Sequence, residues 1–401
     1  MQKIVTIKKE RSWKIIKNRH PWIFSGAVDS APSDIVPGDI VQVAEKSGNI
    51  FAQAVYNPHS DIRLRVLTFN KDEKIDDKWF LGRIKGIAES KERLLGINEL
   101  SENKKNYRVV HAESDDLPGL ILDRYGLVFV VQLQTLFADE NRYLWVSIIK
   151  KLWKPSAIYE RSDAEVRKKE GLKDLPTGIL SGELPKDFSI EEDGFKIKVD
   201  VAVGQKTGYF LDLRDVRKRI EHWCKTLDVK HLVNCFGYTG SFNLYAARSG
   251  VKKIEHIDSS EFSNGIAKEN ANINGFEKNA SVITQDVFDF LTKTKNESVD
   301  AVILDPPSFV KERAKIENAL DGYERLNTLA MKKLTKGGVL FTLSCSSYIS
   351  EQDFQKMLFK SAVSSGSVIE IIEKIGASPD HASPIFFPEG RYLQCWVLQK
   401  I

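Results

Sequence analysis

His231-Leu232-Val233-Asn234-Cys235-Phe236-Gly237-Tyr238-Thr239-Gly240-Ser241 reads as a buried strand, a turn with two glycines and the start of a helix. A short apolar run without alternation fits a strand covered on both faces, as in a parallel sheet. Its two glycines let the backbone approach a ligand at the carboxyl edge of that sheet, where open α/β folds build their sites. The turn lacks the full dinucleotide fingerprint and has no Lys-Ser/Thr pair, so cradling a triphosphate is not its use.

Outward from this turn, apolar runs and helical patterns keep alternating, the mark of βαβ units in a mainly parallel sheet. The run Lys253–Asp258 ends in Asp258 and is followed by Ser259; the run Ser281–Asp286 ends in Asp286. A third run, Val302-Ile303-Leu304, leads into Asp305-Pro306-Pro307-Ser308-Phe309, and a fourth, Val339-Leu340-Phe341, into Thr342-Leu343-Ser344-Cys345-Ser346-Ser347. An acid at the place of Asp258 suits a ribose diol, which NAD and S-adenosylmethionine share. Asp286 suits an adenine amino group. Carboxylates after several strands favour the cationic sulfonium of S-adenosylmethionine over the pyrophosphate of NAD. Taken singly, each of these acids equally fits a helix N-cap. The spacing predicts a helix from about Asp212 with Leu213, Val216, Ile220, Trp223, Cys224 and Leu227 as a buried stripe, which makes Cys224 structural.

The chain has 401 residues, too many for one compact domain. Residues 1–72 read as a small β domain, with short alternating runs broken by Pro37-Gly38 and Ser47-Gly48-Asn49. Its leading segment carries Lys3, Lys8, Lys9, Arg11, Lys14, Lys17 and Arg19 among Trp13, His20, Trp22 and Phe24. That mixture suits an RNA surface, and it equally suits a solvated charged face with core aromatics. Residues 73–183 read as a central α+β domain with a charged helix over Asp76–Leu95, and Arg167-Lys168-Lys169 as a phosphate contact. Residues 184–401 hold the parallel sheet.

A net charge of +4 permits a polyanionic partner without demanding one. The four cysteines, Cys224, Cys235, Cys345 and Cys395, form no CxxC pair, so neither a disulfide framework nor a metal cluster is expected and a reducing, cytoplasmic location fits best. No apolar stretch approaches the roughly 20 residues that cross a bilayer, so no membrane association is expected.

Several peptides together resemble a family of rRNA large-subunit (23S rRNA) methyltransferases that join a PUA domain, a central domain and a Rossmann-like class I methyltransferase and modify cytosine C5. They are Tyr159-Glu160-Arg161-Ser162-Asp163 with Glu170-Gly171, then Gly204-Gln205-Lys206-Thr207-Gly208-Tyr209-Phe210-Leu211-Asp212 with Arg214. The Asn234 turn, the Asp305 and Cys345 peptides and Phe387-Pro388-Glu389-Gly390-Arg391-Tyr392-Leu393 continue the series. The resemblance implies a multidomain α/β protein with a small β-barrel PUA-like domain first, S-adenosylmethionine as cofactor, and RNA, naked or in an assembly intermediate, as substrate. It permits a homodimer. It also implies that Lys206, Thr207 and Phe210 enclose the cofactor with Asp212 near its amino-acid end, joined by Asn234, Phe236, Gly237, Tyr238, Thr239, Gly240, Asp258, Ser259, Asp286, Asp305 and Pro306. Without the resemblance, Asp212 reads as an N-cap.

Chemistry explains a thiol at this place: cytosine C5 is a poor nucleophile until something adds to C6, and Cys345 can make that addition. Asp305 then serves the N3 and N4 edge of the ring. Otherwise Cys345 is a small hydrophobe closing a strand. Many RNA cytosine-5 enzymes carry a second cysteine in the segment of Asp305, whereas Pro307 and Ser308 stand here. Two other readings remain at this point. One is a guanine N-methyltransferase using Asp305-Pro306-Pro307; the other is a non-catalytic RNA-binding or ribosome-assembly protein. Lys311 is left out of the proposed site.

Overall fold

The computed structural model describes residues 3–163, 166–173, 177–309 and 316–401. The chain divides into two compact units: Met1–Ile190 with Val199–Leu211 and Pro379–Gly390, and Glu191–Lys198 with Asp212–Ser378 and Arg391–Ile401. Segments 1–72 and 73–183 both fall in the first unit, which also takes in two later stretches of chain.

The first unit holds a six-stranded sheet between Ile4 and Thr68 and a five-stranded sheet between Asn106 and Gly182. The charged stretch forms the helix Asp77–Leu95, started by the Asp76 carboxylate, which accepts from the amides of Lys78 and Trp79, and stopped by Gly96 in the left-handed conformation. Its buried face, Phe80, Ile84 and Ala88, packs with Tyr107, Phe129 and Trp145, and Val55 and Leu67 of the six-stranded sheet reach the same cluster.

Buried ion pairs pin this unit together, and they account for several motif residues. Arg65 pairs with Glu113 and with Glu170 at 2.6 Å, and Glu170 also accepts from Asn57 and Ser60. The Arg161 guanidinium donates to the carbonyls of Val201 at 3.1 Å and Gly204 at 2.8 Å. Arg167, proposed above as a phosphate contact, is fully buried and bound to Asp139 at 2.8 Å; of that trio only Lys168 and Lys169 are exposed. A guanidinium amid a lysine run reads as surface until its buried acid partner is placed opposite it.

The second unit is built on a seven-stranded sheet of β1 (His231–Cys235), β2 (Lys253–Asp258), β3 (Ala280–Thr284), β4 (Val299–Leu304), β5 (Leu334–Cys345), β6 (Ile369–Ile375) and β7 (Leu393–Lys400). Their order across the sheet is β3-β2-β1-β4-β5-β7-β6. The first five strands run parallel, and β7 lies antiparallel between β5 and β6. The order reverses between β1 and β4, which is where a Rossmann-like sheet opens its crevice. Val233, Val302, Leu304 and Leu340 of the sheet pack on Tyr323 and Leu326 of the helix Ile316–Lys333. The helix expected from Asp212 begins at Arg214 and runs to Thr226, burying Val216, Ile220 and Cys224.

Candidate active site

Two carbonyl-end residues of neighbouring strands meet. In the parallel register Leu304 lies beside Thr342, so β5 runs on past the end of β4 and carries Cys345 to the level of the Asp305 loop. The Cys345 thiol lies 4.0 Å from Asp305 Oδ1, and both residues are half-buried. Behind them is Tyr323, which no motif had singled out. Its phenol is sealed beside Ser344, Asp305 and Cys345, its ring meets Phe309 and Phe354 edge-on at 4.8 and 5.7 Å, and burial pushes its pKa up to about 12. The Tyr323 ring therefore backs the Asp305-to-Phe309 segment with a neutral, rigid wall.

The glycine turn is held from beneath by a buried relay. Asn234 Nδ2 donates to Asn243 Oδ1 at 2.8 Å, Asn243 Nδ2 to His256 Nδ1 at 2.9 Å, His256 Nε2 to Asn264 Oδ1 at 3.1 Å, and Asn264 Nδ2 to Thr284 Oγ1 at 2.8 Å. This direction requires a neutral imidazole, since a second ring proton would face the Asn243 donor. Burial pushes His256 down to about 4, which agrees. The sequence held one signal for it: His256 is a polar residue in a strand between Ile254 and Ile257, both buried.

The depressed pKa sets a stability window. The unfolded imidazole takes a proton as pH falls below about 6.5 while the folded one stays neutral to about 4, so stability is full above neutrality and is lost between those values, by roughly 2 kcal/mol at pH 5. Urea midpoints at pH 7.5 and pH 5 should show this loss in the wild type and a shallower one in His256→Gln.

Above the relay, Phe236 and Tyr238 both adopt left-handed backbone, at φ 58° and 48°, a strain that functional turns concentrate. Asp258 holds the turn open. Its Oδ2 accepts the Tyr238 amide at 3.0 Å and its Oδ1 the Ser260 amide at 2.9 Å, while the side chain stays half-exposed and Ser259 is exposed beside it. The Thr239 carbonyl is tied to Asn270 at 2.9 Å. Asp286 lies two residues beyond the end of β3 and is exposed. Its Oδ1 accepts the Asp289 amide as the N-cap of Val287–Lys293.

Asp212 shows the opposite outcome. The helix Arg214–Thr226 has Leu213 at its N-cap and no side-chain cap, so Asp212 is not the capping residue. Instead its buried Oδ2 accepts a 2.6 Å hydrogen bond from the Tyr392 hydroxyl. Replacing Tyr392 by Phe removes a charge-assisted bond to this carboxylate worth about 2 kcal/mol. S-adenosylmethionine should bind roughly tenfold more weakly to Tyr392→Phe in calorimetry.

Lys206, Thr207 and Phe210 belong to the first unit, and Asp212 onward to the second. Lys206 Nζ sits 4.3 Å over the Phe210 ring. Thr207 corrects the expectation of a side-chain cofactor contact. It is fully buried, and its hydroxyl donates to Asp123 at 2.6 Å and meets the Tyr125 hydroxyl at 2.8 Å. Its side chain anchors the loop internally, and no local pattern links positions 123 and 207. Lys311 lies outside the described residues.

The second unit thus offers what a sulfonium nucleoside requires: a strained, partly buried turn at the sheet's reversal, a half-exposed acid one strand away, and another acid beside a thiol at the next edges. The comparisons with known proteins agree. The S-adenosylmethionine-dependent methyltransferase family matches residues 152–384 and the PUA-like domain family residues 5–69. The chain is 39% identical over 390 residues to ribosomal RNA large subunit methyltransferase I of Aeromonas salmonicida, covering 96% of each chain, and 38% identical over 406 residues to the protein of the same name from Tolumonas auensis, covering 100% of each. This chain belongs to the ribosomal RNA large subunit methyltransferase I family. The fold is also that of a solved methyltransferase crystallised with SAH, at TM-score 0.81 and 18% identity over the whole of both chains, and of an S-adenosylmethionine-dependent methyltransferase from Streptococcus mutans, at 0.81 and 19%.

Within this member of the methyltransferase I family the four cysteines are sharply unequal. Cys224, Cys235 and Cys395 are buried, and burial raises all three thiols, Cys224 to about 12; Cys345 alone is partly open. Iodoacetamide should label one thiol in the native methyltransferase, in the Cys345 peptide by mass spectrometry, and all four in urea. Among the described residues no group of His, Cys, Asp and Glu could hold a metal, and no helix is long and apolar enough to cross a membrane.

In the PUA-like segment of this family member, Lys3 is tied to Asp39 at 2.9 Å. Arg11, Lys14, His20, Trp22 and Phe24 instead line one cavity of about 520 Å³ with Glu389. Trp13 and Phe24 are 66% and 51% exposed, so part of the aromatic set faces solvent and is not core.

Proposed function

We propose that this enzyme methylates C5 of a cytosine in large-subunit ribosomal RNA in the cytoplasm, through a covalent bond between Cys345 and C6 of the base. The observation that carries the reading is the approach of a half-buried thiol and a carboxylate at adjacent strand ends, 4.0 Å apart. A nitrogen-methylating site needs the acid but has no use for the thiol.

Bound S-adenosylmethionine supplies an electrophilic methyl group on a cationic sulfur. Asn234, Phe236, Gly237, Tyr238, Thr239 and Gly240 are the residues to line it, with Asp258 and Ser259 at the ribose, Asp286 toward the adenine and Asp305 and Pro306 below. Asp212 completes the set in this unit. Cys345 adds as thiolate to C6, which turns C5 into a nucleophile. Asp305, at the N3 and N4 edge, stabilises the ring protonated at N3 during that attack. Loss of the C5 proton later re-forms the double bond and expels Cys345. The base must leave its stack to reach the thiol. The cavity of Arg11, Lys14, His20, Trp22 and Phe24 suits the flanking RNA, since cations neutralise phosphates and rings accept stacked bases.

Labelled S-adenosylmethionine and unmodified ribosomal RNA, followed by mass spectrometry of the nucleosides, test the proposal. The expected product is 5-methylcytidine; methylguanosine would overturn it.

A further inference from the structure

Near the end of β5 the second unit buries three hydroxyls in what is otherwise apolar core. Thr342 and Ser344 alternate onto the same side of the strand as Leu340, which packs with Tyr323. Thr342, Ser344 and Tyr323 are all 0% exposed. The Ser344 and Tyr323 hydroxyls are neighbours, yet among the described residues neither they nor Thr342 Oγ1 find a hydrogen-bond partner of good geometry. An unmet buried donor destabilises a fold, so such a group calls for a reason.

Position separates the three. Ser344 directly precedes Cys345, and Tyr323 feels the charges of both Cys345 and Asp305, whereas Thr342 lies three residues, roughly 10 Å of strand, before the thiol. The Tyr323 ring is held edge-on by Phe309 at 4.8 Å and Phe354 at 5.7 Å. Only its hydroxyl hydrogen, like that of Ser344, is left to turn toward whatever acceptor arises. With the phenol pushed up to about 12, it stays a donor at neutral pH.

That acceptor arises when the thiol ionises. A thiolate 4.0 Å from Asp305 Oδ1 sets two negative charges side by side, and Asp305 by itself resists the step. Cys395 on β7 also feels this pair and, as a buried thiol, brings no positive charge to it. Donors that are unmet beside the neutral thiol and met beside the thiolate favour the second state alone.

We propose that the hydroxyls of Tyr323 and Ser344 are the donors that stabilise the negative charge of the Cys345–Asp305 pair and so keep the nucleophile reactive. The proposal rests on the reading of Cys345 as nucleophile. Both are positioning residues: neither gives up its proton or bonds to the base.

The test is alkylation of the native protein by iodoacetamide from pH 6 to pH 10, followed at the Cys345 peptide with neither RNA nor S-adenosylmethionine present. Wild type is compared with Tyr323→Phe, which keeps the ring, with Ser344→Ala and with Thr342→Val. In the first two variants the midpoint of the profile should rise by about half a pH unit, slowing alkylation below it about threefold and leaving the high-pH plateau within about twofold of wild type. Thr342→Val deletes an equally buried hydroxyl and should leave the midpoint in place. Methyl transfer by Tyr323→Phe and Ser344→Ala should lose kcat in the same pH range and recover above it, with KM for S-adenosylmethionine unchanged. Profiles that superimpose on wild type, or an equal shift in Thr342→Val, overturn the assignment. Methylguanosine as the wild-type product would overturn the reaction reading instead, and the alkylation profiles, which need no RNA, would still decide the role of the hydroxyls.

Discussion

Replacing Cys345 by alanine is expected to stop methyl transfer to RNA, by at least about 10³-fold in kcat, while S-adenosylmethionine binds within twofold of wild type. The split follows from where the thiol sits. It lies at the end of β5 against Asp305, whereas the glycine turn follows β1 and Asp258 ends β2. RNA carrying 5-fluorocytidine at the target offers a second readout. A C5 fluorine cannot leave as a proton does, so the wild-type adduct should persist through denaturing electrophoresis and Cys345→Ala should form none. Asp305→Asn should slow both adduct formation and turnover, since it removes the charge at the N3 edge. Undiminished activity in Cys345→Ala would return Cys345 to a packing role and favour methylation of a ring nitrogen or amino group.

The second large effect belongs to Gly237→Ala, which should weaken S-adenosylmethionine binding tenfold or more and destabilise the protein by about 1–3 kcal/mol. A Cβ at this position would lie 2.3 Å from both Cε1 and Nδ1 of His256. The ring cannot retreat, being fully buried and tied to Asn243 and Asn264. The turn must therefore move, and with it the Tyr238 amide that Asp258 holds. Calorimetry and urea denaturation would measure the two losses. Gly240→Ala is a milder comparison: its added Cβ meets Ala267 Cβ and Asn243 Nδ2 at 3.1 Å, and its φ of +75° costs about 1–2 kcal/mol. A double-mutant cycle with His256→Ala separates the clash from other causes: removing the ring should recover much of what Gly237→Ala loses.

What the sequence disclosed was local. The strand, glycine turn and helix around Asn234 and the strand ends at Asp305 and Cys345 were readable because apolar runs and turn residues lie next to one another in the chain. What it concealed depended on distant partners. Arg167 reads as a surface cation until Asp139 is placed beside it, and Thr207 as a ligand contact until Asp123 takes its hydroxyl. Asp286 and Asp212 are equivalent as acids near helix starts, yet one caps its helix and the other answers to Tyr392. Tyr323 lay in an ordinary helical stripe, with nothing local to separate it from core.

The strand β7 lies between β5 and β6 although it is the last of the three to be made. Until Leu393–Lys400 has left the ribosome, the strand that ends in Cys345 keeps one edge unpaired along Val339–Cys345. Such an edge can be captured by another nascent chain. Completion of this sheet is thus timed by translation: Cys345 gains its final strand neighbour only once Leu393 has been made. Ribosomes stalled before residue 393 would carry a chain whose glycine turn is already made while the strand end at Cys345 still lacks its partner.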